Sequence, residues 1–513
     1  MKSNLKPLGI ASAVAVASAG YAGVASAQSV ANNSLGDLAL VPYYTVQGDW
    51  LTGIHIVNTS EHTQVVKFRF RRAADSLDAL DFNVIMSPQD VYAGFLSDDE
   101  NGNISWQADD TSCTAPVTTS GKLTMPDVYR DGAETGYVEI IAMAQPVSET
   151  QGIAVAAKHS DGVPLDCEAV RSNFKRDGTS VDDPGHVHSA LTWQEASAVP
   201  GGPAGGPQEY DNSVNALKVS YFIRDNATGI EFGDNAVHIQ DFLGEPQMSN
   251  QVTGYRDGDL EGFDFPDLNG GVPTGTDGNG DGSERGKFVS LRAGNVLGVA
   301  ELINEWTANT ANGAALDWVV TMPGQYTMFD RIQYIATLDD DDEECLRGSG
   351  DGVIGCDNRD IPVEAVITPY NREEGTTTTP EEDLVVSPQR PGEIDRVQLP
   401  NEVNVIAFGE TQSVLGVVDR RINASLGQPF GWLSLAVNSA DTYLSGESAV
   451  CDFDPTQDTD TPNEAAGDAL DFSCSAVSGN VPMIGFAAWA RQVAANPDAS
   501  YGRIVSHSFV GGS

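Results

Sequence analysis

Apolar and polar positions alternate along much of this chain with the period of a β-strand. In Val66-Lys67-Phe68-Arg69-Phe70-Arg71 apolar and basic residues alternate strictly, the pattern of a strand with one buried face. Residues 53–58 (Gly-Ile-His-Ile-Val-Asn) come before it, and the polar Ser60-Glu61-His62 between them predicts a hairpin. Further strands are predicted over residues 136–143, 217–223, 403–408, 413–418 and 432–437. Stripes of helical period are scarce, while 53 Gly and 26 Pro supply frequent turns. Helices should be few. Residues 484–493 fit a helix or a strand, but Asn496-Pro497-Asp498 and the strand-like 501–509 predict a closing β-hairpin. The fold class expected is all-β: multi-domain antiparallel β-sandwiches with few helices, stapled by disulfides.

A partial internal repeat fits this expectation. Leu80-Asp81-Phe82-Asn83-Val84-Ile85-Met86-Ser87-Pro88 is echoed by Leu316-Asp317-Trp318-Val319-Val320-Thr321-Met322-Pro323. Each copy places an aromatic in a strand and a Pro at its end. A chain of 513 residues exceeds what one core holds. Two composition breaks divide it: Pro200-Gly201-Gly202-Pro203-Ala204-Gly205-Gly206-Pro207, and the Thr- and acid-rich 371–392. The expected organisation is a signal peptide over 1–27, a β-sandwich over 28–199, and a second sandwich over 208–370 partly repeating the first. A linker or long loop over 371–392 and a C-terminal β region over 393–513 complete it.

The N-terminal pattern changes the picture by adding a location. Lys2 and Lys6 stand before an Ala-rich apolar stretch that ends in Ala25-Ser26-Ala27, small residues where a signal peptidase cuts. No later stretch approaches the ~18 uninterrupted apolar residues of a spanning helix, so no membrane insertion is expected. Composition sharpens this. Asp and Glu number 73 against 28 Lys and Arg, a formal charge of −45. Phosphate repulsion argues against nucleic acid as a partner. The expected location is outside the cytoplasm, extracellular or on a bacterial cell surface, with the periplasm as the alternative. Six cysteines suit such an oxidising compartment. Nearest-neighbour pairing, Cys113 with Cys167, Cys345 with Cys356 and Cys451 with Cys474, is preferred among several connectivities.

Leu40-Val41-Pro42-Tyr43-Tyr44-Thr45, Ile56-Val57-Asn58-Thr59-Ser60, Val65-Val66-Lys67-Phe68-Arg69-Phe70, Leu80-Asp81-Phe82-Asn83-Val84 and Gly136-Tyr137-Val138-Glu139-Ile140-Ile141 together carry a resemblance. They resemble a group of exported proteobacterial proteins of unknown function. The resemblance covers the N-terminal part well and the remainder loosely. It implies export and core strands and brings no catalytic residue.

The strongest chemical motif is Asp277-Gly278-Asn279-Gly280-Asp281-Gly282. Oxygen ligands at alternate positions, with Gly at the sharp turn, suit a hard cation such as Ca²⁺. Phe288 occupies the twelfth position, where an EF-hand places a bidentate Glu, so a complete EF-hand is excluded. The metal set expected is therefore Asp277, Asn279, Asp281 and Glu284, with Asp257, Asp259, Glu261, Asp264 and Asp267 as alternative donors; a solvated Gly/Asp turn is the plain alternative. Asp339-Asp340-Asp341-Asp342-Glu343-Glu344 and Asp98-Asp99-Glu100-Asn101-Gly102-Asn103 read as solvated acidic loops. His186-Val187-His188 lacks neighbours to complete a metal shell and reads as exposed loop histidines. No nucleophile elbow, metalloprotease helix or phosphate-binding loop occurs. Trp106, Trp193, Trp306, Trp318, Trp432 and Trp489 suit sugar stacking but more often fill sandwich cores.

The functional expectation is a secreted or cell-surface structural or adhesive β protein, calcium-stabilised and without catalytic activity. A surface polymer or self-association supplies its partner. The alternatives are a secreted hydrolase acting on an extracellular polymer and an outer-membrane β-barrel.

Overall fold

Strands assemble the chain into four large sheets, alternating in burial near the edges and buried on both faces at the centre, as in Leu38–Thr45 and Asp78–Met86. The computed structural model describes residues 28–74, 78–99, 101–108, 110–118, 120–130, 132–150, 152–172, 210–243, 268, 293–294, 296–307, 313–324, 363–370, 396–408, 413–417, 421–424, 430–437, 450–453, 472–475, 480–493 and 499–510. The predicted signal peptide, both predicted composition breaks, Cys345 and Cys356 lie outside them.

Sheet I has eight strands, ordered Ser29–Val30, Val237–Gln240, Leu38–Thr45, Thr135–Pro146, Gln64–Arg72, Asp78–Met86 and Cys113–Ala115, with Tyr210–Asp211 also pairing with Thr135–Pro146. Sheet II has six: Glu231–Asn235, Leu217–Asp225, Trp50–Asn58, Val91–Asp98, Ile104–Ala108 and Lys122–Thr124. Val66, Phe68 and Phe70 project from sheet I against Ile54, Ile56, Leu96 and Trp106 of sheet II. Phe68 is the hub, with its ring centroid 4.9 Å from Phe82, 5.6 Å from Tyr92 and 5.7 Å from Trp106. Offset and edge contacts of this kind add to the area each ring buries. Trp106 donates its indole N–H to the Tyr92 hydroxyl at 2.9 Å, so neither buried polar end is left unsatisfied.

Sheets III and IV form a second sandwich of five strands each. Sheet III runs Arg396–Leu399, Val363–Tyr370, Phe430–Val437, Glu301–Thr307 and Ser508–Val510; sheet IV runs Arg421–Ala424, Val403–Phe408, Ala314–Thr321, Ile484–Arg491 and Tyr501–Ser506. Trp306, Trp318, Val320, Ile406, Phe408 and Leu433 meet between them. The inner strands of sheet IV are buried on both faces: Val319, Val403, Val405, Phe486 and Ala488 point the other way, into the core of the first sandwich. All six residues of Val403–Phe408 are buried.

The described chain is thus all-β sandwiches, antiparallel except where Val403–Phe408 pairs in parallel with Arg421–Ala424. The helices are short: Asp127–Arg130, Gly152–Ala157 and Cys167–Ser172. Each large sheet runs between two edge strands among the described residues. Among the described residues no helix is long and apolar enough to cross a membrane.

A disulfide joins Cys113 to Cys167. It pins the Cys167–Ser172 helix to the edge of sheet I, over Val65, Ile85, Met143 and Ile153. Cys451 and Cys474 stand directly opposite one another in the ladder of Val450–Phe453 with Phe472–Ser475.

Two strand expectations are corrected. Trp50–Asn58 and Gln64–Arg72 do not pair as a hairpin: the first lies in sheet II and the second in sheet I. The turn between them is an arch that crosses the core, held where Asn58 Nδ2 donates to His62 O at 2.7 Å and to Ser87 O at 2.9 Å. Residues 413–417 form a turn, not a strand. There Asp317 accepts hydrogen bonds from Ser413 Oγ at 2.6 Å and the Leu415 amide at 3.1 Å, which replaces ladder bonding. The ambiguous chain end resolves as a β-hairpin, Ile484–Arg491 with Tyr501–Ser506. Both copies of the Leu-Asp-aromatic motif lie on strands whose apolar residues enter a core while the Asp is buried on the opposite face.

Replacing Cys113 and Cys167 together by Ala opens a loop with a sequence separation of 54. The loop-closure relation gives a stability loss of about 4 kcal/mol. Urea unfolding of the double variant beside the parent measures it; an unchanged midpoint would refute the staple's contribution.

Candidate functional site

Two features stand out, one sealed and one open. The sealed one lies on the face of sheet I opposite the aromatic core. Lys67, Arg69 and Arg71 share that face of Gln64–Arg72, and all three are buried, with exposures of 0%, 0% and 1%. Sequence alternation expects this basic face to meet solvent; the structure overturns that. The compensation comes from the flanking strands. Register places Glu139, Arg69 and Asp81 in one lateral row, and Tyr137, Arg71 and Asp78 in the next. Lys67 Nζ lies 3.2 Å from Asp81, Arg71 Nη1 lies 2.7 Å from Asp78, and Arg71 Nε lies 3.1 Å from Glu139. Arg69 pairs with Asp78 and reaches Asp81 at 3.7 Å. Tyr137 donates its hydroxyl to Glu139 at 2.9 Å, and the Leu268 amide adds a bond at 3.2 Å. Burial and the Glu139 charge hold the Tyr137 hydroxyl far above its ordinary range.

A fourth carboxylate comes from the other sandwich. Glu402 stands just before Val403–Phe408 of sheet IV and has no exposed surface. Its Oε1 accepts the Gly324 amide at 2.8 Å, whereas Oε2 is buried without a hydrogen-bond partner. Burial pushes its carboxyl up to about 8, against partial relief from Arg71 and further elevation by Glu139. Glu139 and Glu402 are neighbouring buried carboxylates. Both have zero exposure, so no substrate reaches them in this arrangement.

The open feature is a cavity of about 780 Å³ at one end of the first sandwich. That volume falls within the ~300–1,000 Å³ range of small-ligand sites. Its wall combines Val46 to Trp50 from one turn with Ala73, Asp98, Gly132, Glu134, Thr135, Asp225 and Ala227, and Gly416 from the turn after sheet IV's Val403–Phe408. Backbone bonds brace the rim: Val46 N to Glu134 O at 2.8 Å, Asn226 N to Asp49 O at 2.9 Å and Ala73 N to Thr135 O at 2.8 Å. Trp50 floors it, its ring stacked on Phe232 with centroids 6.1 Å apart. Gly416 has φ +70° and closes on this indole; a Cβ there would lie 2.5 Å from Trp50 Nε1. Only Gly fits that approach.

Asp49, Asp98, Glu134 and Asp225 line the cavity, and no Lys, Arg or His stands among its described lining residues. Partial burial raises the Asp98 carboxyl above its ordinary value, with the Asp99 charge adding and Arg130 opposing. Asp225 spends part of its capacity on its own turn, accepting Ala227 N at 2.9 Å and Thr228 Oγ1 at 2.5 Å. Among the described residues no three His, Cys, Asp or Glu side chains gather closely enough to hold one metal ion. Asp49, Asp98, Glu134 and Asp225 reach the cavity from four separate segments of the chain.

Asp277, Asn279, Asp281 and Glu284, the acidic 339–344 run, His186 and His188 lie outside the described residues. Asp99 forms the predicted turn: the Asn103 side-chain amide at 3.0 Å, and the backbone amides of Asn103 at 2.9 Å and Asn101 at 2.8 Å, donate to its carboxylate and hold it below the ordinary value. Trp106, Trp306 and Trp318 are core residues, whereas Trp432 is 39% exposed and stacks on Tyr370. The buried charges and the cavity were not found by motif search. Their one sequence signal was the alternating basic strand, whose counter-charges are scattered from Asp78 to Glu402. No protein-family model, curated protein or solved structure matches the chain.

Arg71→Met leaves Asp78 and Glu139 buried beside a lost counter-charge. The expected cost is about 3–5 kcal/mol, measured by denaturant unfolding at neutral pH. A loss below about 1 kcal/mol, the scale of an exposed pair, would show that the buried ladder is not load-carrying.

Proposed function

We propose that this chain is an exported structural or adhesive β protein of the bacterial surface or extracellular space, without catalytic activity, which uses the end cavity to hold an amine-bearing segment of a surface polymer. The observation that carries the reading is the cavity itself: four carboxylates beside the Trp50 indole, with no basic residue among the described lining residues. Rigid sandwiches that present binding groups on end loops are a common way to build recognition. An indole beside carboxylates favours an organic cation through both charge and the ring face. The signal-like N-terminus and the acidic composition support placement outside the cytoplasm. Ca²⁺ held by Asp277, Asn279, Asp281 and Glu284 belongs to the same reading, as a stabiliser.

Binding of a soluble glucosamine oligomer, compared with its neutral N-acetylated form, tests the cavity. Asp49→Asn with Glu134→Gln is expected to weaken binding of the amine form about tenfold, since each exposed ion pair contributes up to ~1 kcal/mol. Asp161→Asn, an exposed acid on a distant turn, is the control and should leave affinity unchanged. Equal binding of both oligomers, or equal loss in the control, would overturn the assignment. Cleavage of the oligomer would move the reading to a polymer hydrolase. For calcium, the melting temperature is expected to rise in millimolar Ca²⁺ and fall in chelator, with Asp281→Ala removing most of the difference; identical melts would eliminate the ion.

A further inference from the structure

We propose that Lys67 and Asp81 condense to an intramolecular amide, a self-formed crosslink between two inner strands of sheet I. Gln64–Arg72 and Asp78–Met86 are antiparallel neighbours, and register sets Lys67 opposite Asn83 and Arg69 opposite Asp81. Lys67 and Asp81 are therefore diagonal partners on one face, a separation that a long side chain spans. Lys67 Nζ lies 3.2 Å from Asp81 Oδ2, and neither side chain has exposed surface. Arg69 and Asn83 beside them have none either.

The residue type is the first argument. Arg69 and Arg71 meet carboxylates on the same face of the same strand. A planar guanidinium suits a buried ion pair and does not give up its proton. Lysine is the poorer choice for pairing alone, because its ammonium is compact and strongly hydrated. It has one capacity that arginine lacks: once deprotonated, its amine is a nucleophile. Position 67 sets that amine against the carboxyl group of Asp81.

Burial supplies the second argument. Charges taken out of water are costly, and proton transfer across the Nζ–Oδ2 contact exchanges two of them for a neutral amine and a neutral acid. The nitrogen lone pair then attacks Asp81 Cγ and forms the C–N bond. Negative charge gathers on a carboxyl oxygen of the tetrahedral intermediate, and Arg69 Nη2, 3.7 Å from Oδ2, offsets it. The nitrogen gives a proton to the departing hydroxyl as the C–O bond breaks, the carbonyl re-forms, and one water leaves. An ammonium and a carboxylate thus become an amide and water, with atoms and charge balanced and no co-reactant.

The fold favours this product in two ways. Holding the two groups in contact supplies the effective concentration that a free amine and acid lack. Zero exposure of both residues withholds the water that hydrolysis of the amide needs. The crosslink also joins the two strands whose register sets the ionic ladder, and it leaves a neutral group where a buried ion pair stood.

Mass spectrometry of the denatured, reduced protein after trypsin decides the matter. Lys67 is expected to remain uncut. The peptide containing it should emerge joined to the peptide containing Asp81, as one branched species lighter by a single water than the two together. Fragment ions should place the branch at these two residues. Lys67→Arg keeps a cation beside Asp81 but offers no nucleophile, so its Asp81 peptide should be recovered linear and at its sequence mass. A parent protein that yields Lys67 cut and the Asp81 peptide linear overturns the proposal, and that result needs no variant to fold. A branched species lighter by ammonia instead of water, with the branch at Asn83, overturns the assignment to Asp81. Persistence of the same mass loss in Lys67→Arg refutes the role of Lys67.

Discussion

Three cations buried on one face of a single strand set the terms for everything packed around them. Each ion taken from water costs several kcal/mol unless well-placed partners offset it. The partners of Lys67, Arg69 and Arg71 sit on neighbouring strands, Asp78 and Asp81 on one side and Glu139 on the other. Sliding either strand by one residue would turn Glu139 or Asp81 into the aromatic core and strand a guanidinium. Apolar alternation alone tolerates some slippage, whereas paired buried charges do not. The ionic ladder thus selects the register of sheet I, and the same register brings Phe68 onto Phe82 and Trp106.

Sheet IV extends that constraint to the rest of the molecule. Its strands present Trp318, Val320 and Ile406 to one core and Val319, Val403 and Val405 to the other. A sheet with two apolar faces has no solvated side of its own, so the sandwiches share a layer where the chain's composition suggested separate units. The joint carries a buried acid, Glu402, which accepts the Gly324 amide. Polar groups at such a joint are consequential in both directions: satisfied they specify one arrangement, and charged without a partner they oppose it.

The cavity uses the rigidity these layers provide. Asp98 and Asp225 reach it from strand ends and Asp49 and Glu134 from turns, on a frame braced by backbone bonds and lined by Trp50. Gly416 shows how the shared layer contributes, because Asp317 of sheet IV anchors the turn that brings this residue against the indole. The net charge of −45 favours cations over the whole surface; concave walls and an aromatic floor convert that general preference into a local one.

Strand identity was largely legible from local alternation, because burial on a pleated strand repeats every second residue. Residues 403–408 carry the same bounds in sequence and structure, and 217–223 lie within Leu217–Asp225. Alternation cannot say which sheet a strand joins. Residues 53–58 and 66–71 look like hairpin partners, and only remote anchors such as Ser87 on Asn58 and Glu149 on Thr63 make the turn an arch. Nor can it say what covers a polar face. Arg69 read as solvated because the acids that neutralise it are distant in the chain or on another strand. By itself the sequence determined an all-β, acidic chain built on amphipathic strands, since those are properties of neighbours. The tertiary structure decided the ionic ladder, the doubly buried sheet and the cavity, since each depends on groups brought together from Val46 to Phe486 by long-range packing.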